Sequence, residues 1–106
     1  MSIRQYLSGV VLMMVFQAAW AATGKTGEEI YQAVCQACHA SGVGNAPVTG
    51  DSAAWQPRLA KGLDTLYKHA VDGLSENGVM PPMGMCMQCS AAEVKAAVDY
   101  MLEQNR

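Results

Sequence analysis

The sequence has little charge and no surplus of basic residues. Asp, Glu, Lys and Arg make up 15% of the 106 residues, and 7 basic residues face 9 acidic ones, for a net charge of −2. A disordered chain carries more charge and less apolar material than the 51% hydrophobic content found here. A general nucleic-acid binder carries a basic surplus, so nucleic acid is not expected as a partner. Also missing is any useful run of apolar–polar alternation, so strands are not expected. No internal repeat or low-complexity tract occurs. The longest apolar stretch falls short of the about 20 residues that a transmembrane helix needs. Sulfur is what the chain has in quantity: 4 cysteines and 8 methionines. Thiols and thioethers are soft ligands and redox groups.

Residues 1–21 read as a secretory signal peptide. Arg4 is the only charge before Lys25, an apolar run follows from Leu7 to Phe16, and Ala19-Trp20-Ala21 supplies a small-x-small cleavage pattern. Residues 22–106 are then one exported domain, expected in the periplasm. Membrane contact is expected only if the N-terminal segment is retained. Cys35, Cys38, Cys86 and Cys89 all belong to that domain, in a compartment where disulfides persist. A domain of this size commonly needs a disulfide, metal or cofactor as a staple.

Helical signals dominate the domain. Thr26-Gly27-Glu28-Glu29 is a capping box, and Ile30, Tyr31 and Val34 follow at helical spacing, predicting a helix from about Gly27 to Cys38. Gly42, Gly44, Asn45, Pro47 and Gly50 mark a loop from Ala40 to Ser52. Asp51 or Ser52 caps a short helix containing Trp55; Pro57 is expected to break it or to start a new turn, and Gly62 to end it. Leu63, Leu66, Tyr67, Ala70 and Leu74 form one helix face, with Gly73 near its end. A loop follows from Ser75 to Cys89. Ser90-Ala91-Ala92-Glu93 is a second capping box, and Val94, Ala97, Val98, Met101 and Leu102 form the apolar stripe of a last helix.

The chemistry is concentrated in Cys35-Gln36-Ala37-Cys38-His39, a C-x-x-C-H sequence and the attachment signature of haem c. Two thiols three residues apart at a helix end can add across the two vinyl groups of one haem, and the adjacent imidazole then falls under the iron. A thioredoxin-like pair would need an α/β pattern, which is not visible. For the second axial position there are two histidines in all. One is His39 itself; the other, His69, lies off the apolar stripe and is expected to point outward. Methionine is the better source. Met101 falls on the last helix's stripe and reads as core, which leaves Met80, Met83, Met85 and Met87 in the loop. Met80 is favoured because Pro81-Pro82 stiffens the chain beside it; Met83 is the runner-up. Cys86-Met87-Gln88-Cys89 is followed by Ser90, so a second attached haem would lack its imidazole. That pair reads as a small disulfide, with a catalytic dithiol as the alternative. Such a clip would turn Met85 and Met87 away from the iron.

Taken together, these motifs resemble the class I c-type cytochromes, in particular the cytochrome c5 subgroup. The resemblance runs from Gly27 to Leu102 and includes Gly44-Asn45-Ala46-Pro47, Ala54-Trp55-Gln56-Pro57-Arg58, Met80-Pro81-Pro82 and the second C-x-x-C. It implies an all-α fold of about four helices around one covalently bound haem, with the first and last helices crossing where Gly27 and Tyr31 meet Tyr100 and its neighbours. It implies His39 and Met80 as axial ligands, the Pro47 carbonyl as acceptor for the His39 ring, a Cys86–Cys89 disulfide, and Trp55 and Arg58 near the propionates. The family's Met-Pro-Pro is usually followed by Lys, where this chain has Met83. That removes a positive charge near the haem edge.

The function expected from these features is one-electron transfer between Fe(III) and Fe(II), through transient docking of redox proteins, and not catalysis. Two other classes compete: a haem or dithiol oxidoreductase, and copper handling by the thioethers of Met80, Met83, Met85 and Met87.

Overall fold

The computed structural model describes residues 24–105; the expected signal peptide, residues 1–21, lies outside the described residues. Residues 27–39 form one continuous helix, α1, with three segments. It is α-helical over Gly27–Ile30, π-helical over Tyr31–Cys35 and α-helical again over Gln36–His39. The helix therefore runs one residue past Cys38, and its middle turn is wider than the periodicity predicts. The expected capping box is present: Glu29 N–H donates to Thr26 Oγ1 at 3.2 Å, and Thr26 N–H donates to Glu29 Oε1 at 3.3 Å.

Three more helices follow. Helix α2 spans Ser52–Leu59, with Asp51 as its cap. Pro57 sits inside α2 and does not end it, because in so short a helix its missing N–H costs a single bond. Helix α3 spans Leu63–Asp72, between Gly62 and Gly73, both at positive φ. Helix α4 spans Ala91–Glu103 behind the second capping box, Ser90 with Glu93. Short 3-10 turns lie at Val43–Asn45 and Pro82–Met85. The described residues contain no strand, only an isolated antiparallel bridge between Leu74 and Met80. No helix among them is long and apolar enough to cross a membrane.

Trp55 from α2, Leu66 and Ala70 from α3, and Val94, Val98 and Met101 from α4 form the core. Met101 is core, as its place on the stripe predicts. Leu63, predicted on the buried face of α3, is 42% exposed because it opens the helix at its outer end. The first and last helices meet as expected. A Cβ placed on Gly27 would stand 2.1 Å from the Ala96 carbonyl oxygen, so only glycine allows the backbones this close. One helical turn on, the Tyr31 and Tyr100 rings pack with centroids 5.2 Å apart. Glu93 joins the two helix starts: one carboxylate oxygen accepts from Ser90 N–H, the other from Lys25 N–H at 2.9 Å.

Tyr67 ties α3 to α4 by donating its hydroxyl to the Asp99 carboxylate. That bond holds the hydroxyl's proton, with burial and the carboxylates of Asp99 and Asp64 acting in the same direction, and pushes its pKa up to about 12. A group raised in the folded state stabilises fully below its unfolded pKa and loses that effect as pH rises through the folded one.

Two outcomes follow from this packing. Gly27→Ala is expected to destabilise the protein by about 3 kcal/mol through backbone overpacking, read by denaturant unfolding; an unchanged midpoint would mean the helices can separate freely. In Tyr67→Phe, the stability deficit seen at neutral pH is expected to close as pH rises from about 10 toward about 12. A deficit that stays constant over that range would show that the Asp99 bond contributes nothing.

Candidate cofactor site

The helices and the two long loops enclose a cavity of about 420 Å3 with largely apolar walls. Cys35, Cys38 and His39 line it from the end of α1, Pro47 from the first loop, Trp55 and Arg58 from α2, and Met80 from the second loop. All seven residues expected at the cofactor from the sequence thus border one space.

The imidazole is the most constrained of these groups. His39 is buried, and its Nδ1–H donates to the Pro47 carbonyl at 2.9 Å. A carbonyl can only accept, so the proton is on Nδ1 and the Nε2 lone pair is free. Burial lowers the pKa of His39 and favours the neutral ring; the Pro47 bond opposes this, and the charge of Arg58 adds to it. The Trp55 ring stacks against the imidazole, with centroids 5.8 Å apart and 29° between planes. Its indole N–H donates to the Val48 carbonyl at 2.9 Å. Trp55 therefore serves as a plate behind His39, and its only donor is not available to a propionate. Arg58 spends Nη1 on the Ala54 carbonyl at 2.6 Å and has further guanidinium donors at the cavity wall, where Lys61 adds a second positive charge.

The two thiols are half-buried and not joined to each other. Burial pushes the Cys35 thiol up, the opposite of the acidified thiol that a redox dithiol requires. The π-helical turn ends on Cys35. Such a widening is a common device at functional sites, and no sequence signal announces it.

On the other side, the Met80 backbone is pinned to the end of α3. Met80 N–H donates to Leu74 O at 2.7 Å, and Leu74 N–H returns a bond to Met80 O at 2.9 Å. Met83, Gly84 and Met85 then take consecutive left-handed conformations, with φ of 59°, 60° and 69°. This run separates the methionines. Met83 packs against the hydrophobic core and does not line the cavity, whereas Met85 returns to the cavity's edge while 70% exposed. The expectation that the disulfide turns Met85 away is thus corrected. It holds for Met87, which is 89% exposed. His69 is also corrected: it is half-buried and lines the cavity, because the face of α3 that carries Leu66 and Ala70 is wide enough to include it.

Two loops meet over the rim. Asn45 donates its side-chain N–H to the Asn77 carbonyl, and Val79 N–H donates to Gly44 O at 3.3 Å. Cys86 and Cys89 are joined by a disulfide, with a Cα separation of 5.4 Å and Cys86 buried. It closes the turn at 86–89, between the 3-10 turn and α4.

Residues 22–101 match the family described as "Cytochrome C oxidase, cbb3-type, subunit III". The cytochrome c5 of Azotobacter vinelandii is 46% identical over 79 residues, covering 73% of this chain and 92% of that protein. The cytochrome c-555 of Chlorobaculum tepidum is 37% identical over 95 residues, covering 89% and 88%. A mono-haem ferrocytochrome c from Shewanella putrefaciens superposes with a TM-score of 0.62 at 44% identity, over 74% of this chain and 93% of that one. The chain belongs to the class I c-type cytochromes, of the cytochrome c5 type. This cytochrome holds one covalently bound haem c and is an electron carrier. The cavity fits that group: it offers two free thiols, a neutral imidazole with an open lone pair, a thioether and apolar walls.

The clip at Cys86–Cys89 closes a very short loop, so its expected contribution is modest. A Cys86→Ala/Cys89→Ala double variant should lose about 2 kcal/mol of stability while keeping the haem spectrum of the parent. Loss of the spectrum would assign the pair to the site itself.

Proposed function

We propose that this cytochrome is a periplasmic one-electron carrier between respiratory redox proteins, with thioether attachment at Cys35 and Cys38 and axial ligation by His39 and Met80. The observation that carries the reading is that, of the four loop methionines, Met80 and Met85 line the cavity that also contains His39 and both thiols, and Met85 does so at its edge while 70% exposed, which leaves Met80 as the thioether set within the wall. When bound, the haem supplies the Fe(III)/Fe(II) couple. His39 offers Nε2 as ligand, and its bond to Pro47 fixes the tautomer and raises the basicity of the ring. Met80 offers a soft thioether, which favours the ferrous state. The Leu74 bridge and Pro81-Pro82 hold that thioether's backbone in place, so little rearrangement accompanies electron transfer. Apolar walls disfavour the more highly charged ferric state.

At the rim, exposed Val79 and Met85 offer an apolar surface for brief contact with a protein partner. Partners of this kind are supported by a solved electron transfer complex of nitrite reductase with cytochrome c. The matching chain is 44% identical with a TM-score of 0.67, over 76% of this chain and 94% of that one. Export by the N-terminal segment places these encounters in the periplasm. The competing classes have less support. A catalytic dithiol needs accessible thiols, and Cys86 is buried in a disulfide. Copper handling needs several converging thioethers, and of the four Met80 and Met85 border the cavity, Met85 while 70% exposed, whereas Met83 lies against the core and Met87 in solvent.

Single substitutions test the axial assignment. Met80→Ala should abolish the methionine-to-iron charge-transfer band of the ferric protein and lower the midpoint potential, whereas Met83→Ala should leave both nearly unchanged. The reverse pattern would move the ligand to Met83. Loss in neither variant would direct attention to His69.

A further inference from the structure

Asn105, the last described residue, touches the turn that holds His39. Gly50 N–H donates to Asn105 Oδ1 at 2.8 Å, and the Ser52 hydroxyl donates to the Asn105 backbone carbonyl at 2.7 Å. Gly50 follows directly on the three residues that organise the proximal side. Pro47 O accepts from the His39 ring, Val48 O accepts from the Trp55 indole, and Thr49 N–H donates to His39 O at 2.8 Å. Gly50 itself has φ of +92° and open space where a Cβ would be, so no side chain packs the turn in place there. A glycine at such a position is the softest point of a turn. The bond from Asn105 falls on that point. Within the turn, Asp51 N–H donates to Val48 O at 3.0 Å across Gly50, while Thr49 Oγ1 and Asn105 Nδ2 are both buried without a hydrogen-bond partner among the described residues, so Asn105 Oδ1 is the side-chain acceptor that holds Gly50 from outside the turn.

We infer that Asn105 is a positioning residue for the proximal side of the haem site, acting through Gly50 on the turn at 47–50 and so on the His39 ring. The path has three links: the Asn105 carboxamide oxygen holds Gly50, the turn holds the Pro47 and Val48 carbonyls, and those carbonyls hold the imidazole and the indole behind it. A firmly held Pro47 acceptor makes His39 a more basic ligand, which favours Fe(III). Loosening the turn weakens that acceptor and shifts the equilibrium toward Fe(II). The inference rests on His39 being the proximal ligand, as proposed above.

The test uses the full-length holoprotein and three variants. Asn105→Ala removes the acceptor; Asn105→Asp keeps an acceptor oxygen in the same place and discards the unpartnered Nδ2; Gln104→Ala removes a side-chain bond to the Tyr100 carbonyl at the end of α4 without touching Asn105 or Gly50. The readouts are the midpoint potential and the hydrogen-exchange rates of His39 Nδ1–H and Trp55 Nε1–H, measured by NMR on the ferrous protein. Asn105→Ala should speed both exchange rates about tenfold and move the reduced-to-oxidised ratio at fixed potential about threefold toward reduced. Asn105→Asp should restore the parental exchange rates, and Gln104→Ala should leave both readouts in place even if it lowers the melting temperature. The inference is overturned if Asn105→Ala changes only the melting temperature, or if Gln104→Ala moves the readouts equally. Failure of the underlying reading looks different: in the ferric parent, the His39 ring protons would then lack the large paramagnetic shifts of an iron ligand.

Discussion

The hydrogen bond from the His39 ring to the Pro47 carbonyl is the constraint on which the site depends. A free imidazole has two tautomers and free rotation about its side-chain torsions; this one has neither. Proton and lone pair are assigned by a backbone atom eight residues away, and the ring plane is backed by Trp55. The same turn serves both rings, since Val48 accepts from the indole that stacks on the imidazole. Loop 40–51 therefore acts as a mould for one side chain. Its glycines at 42, 44 and 50 have positive φ that permit the tight path, and its bonds to His39, Trp55 and Asn105 remove the freedom those glycines would otherwise leave.

The distal side solves a different problem. A thioether is a weak ligand with a flexible stem, so its backbone must be fixed before its sulfur can be placed. Here the bridge to Leu74 fixes Met80 from one side and Pro81-Pro82 from the other. The left-handed run from Met83 to Met85 sends Met83 onto the core and brings Met85 back to the cavity's edge, and the disulfide anchors the chain just before α4. Non-glycine residues at positive φ are strained, and the closed Cys86–Cys89 loop with the packing of Met83 on the core holds them there.

Much of this was legible in the sequence because the deciding interactions are local. Cys35, Cys38 and His39 announce their chemistry by spacing alone. The capping boxes at Thr26 and Ser90 satisfy amides within three residues, so both helix starts fall where the pattern puts them. Met80 stands out through its neighbours Pro81 and Pro82. What could not be read depends on distant partners. The π-helical turn at Tyr31–Cys35 has no composition of its own. His69 faces the cavity because of how α3 is rotated against its neighbours. Met85 returns to the cavity's edge through backbone conformations that methionine does not favour and only tertiary contacts enforce. Asn105 has no motif at all, and its importance appears only once the C-terminus is seen against Gly50.

The same residues serve stability and redox chemistry. Of the six residues of the core cluster, Trp55, Leu66, Ala70, Val98 and Met101 also line the cavity. In so small a domain there is no second core to which stability could be delegated. One set of side chains must bury enough surface to fold the chain and also set the polarity around the iron. Enlarging the cavity by trimming one of these residues would weaken the fold through lost packing and admit water to the cofactor at the same time. Polar substitution would act on both in the same direction. The residues freest to vary lie on the outer faces of the helices, in the exposed turn that carries Met87, and at the rim, where Val79 and Met85 are exposed. Partner choice can therefore change through rim residues such as Met85 and Val79 while the core, the cavity and the potential they set stay under one shared constraint.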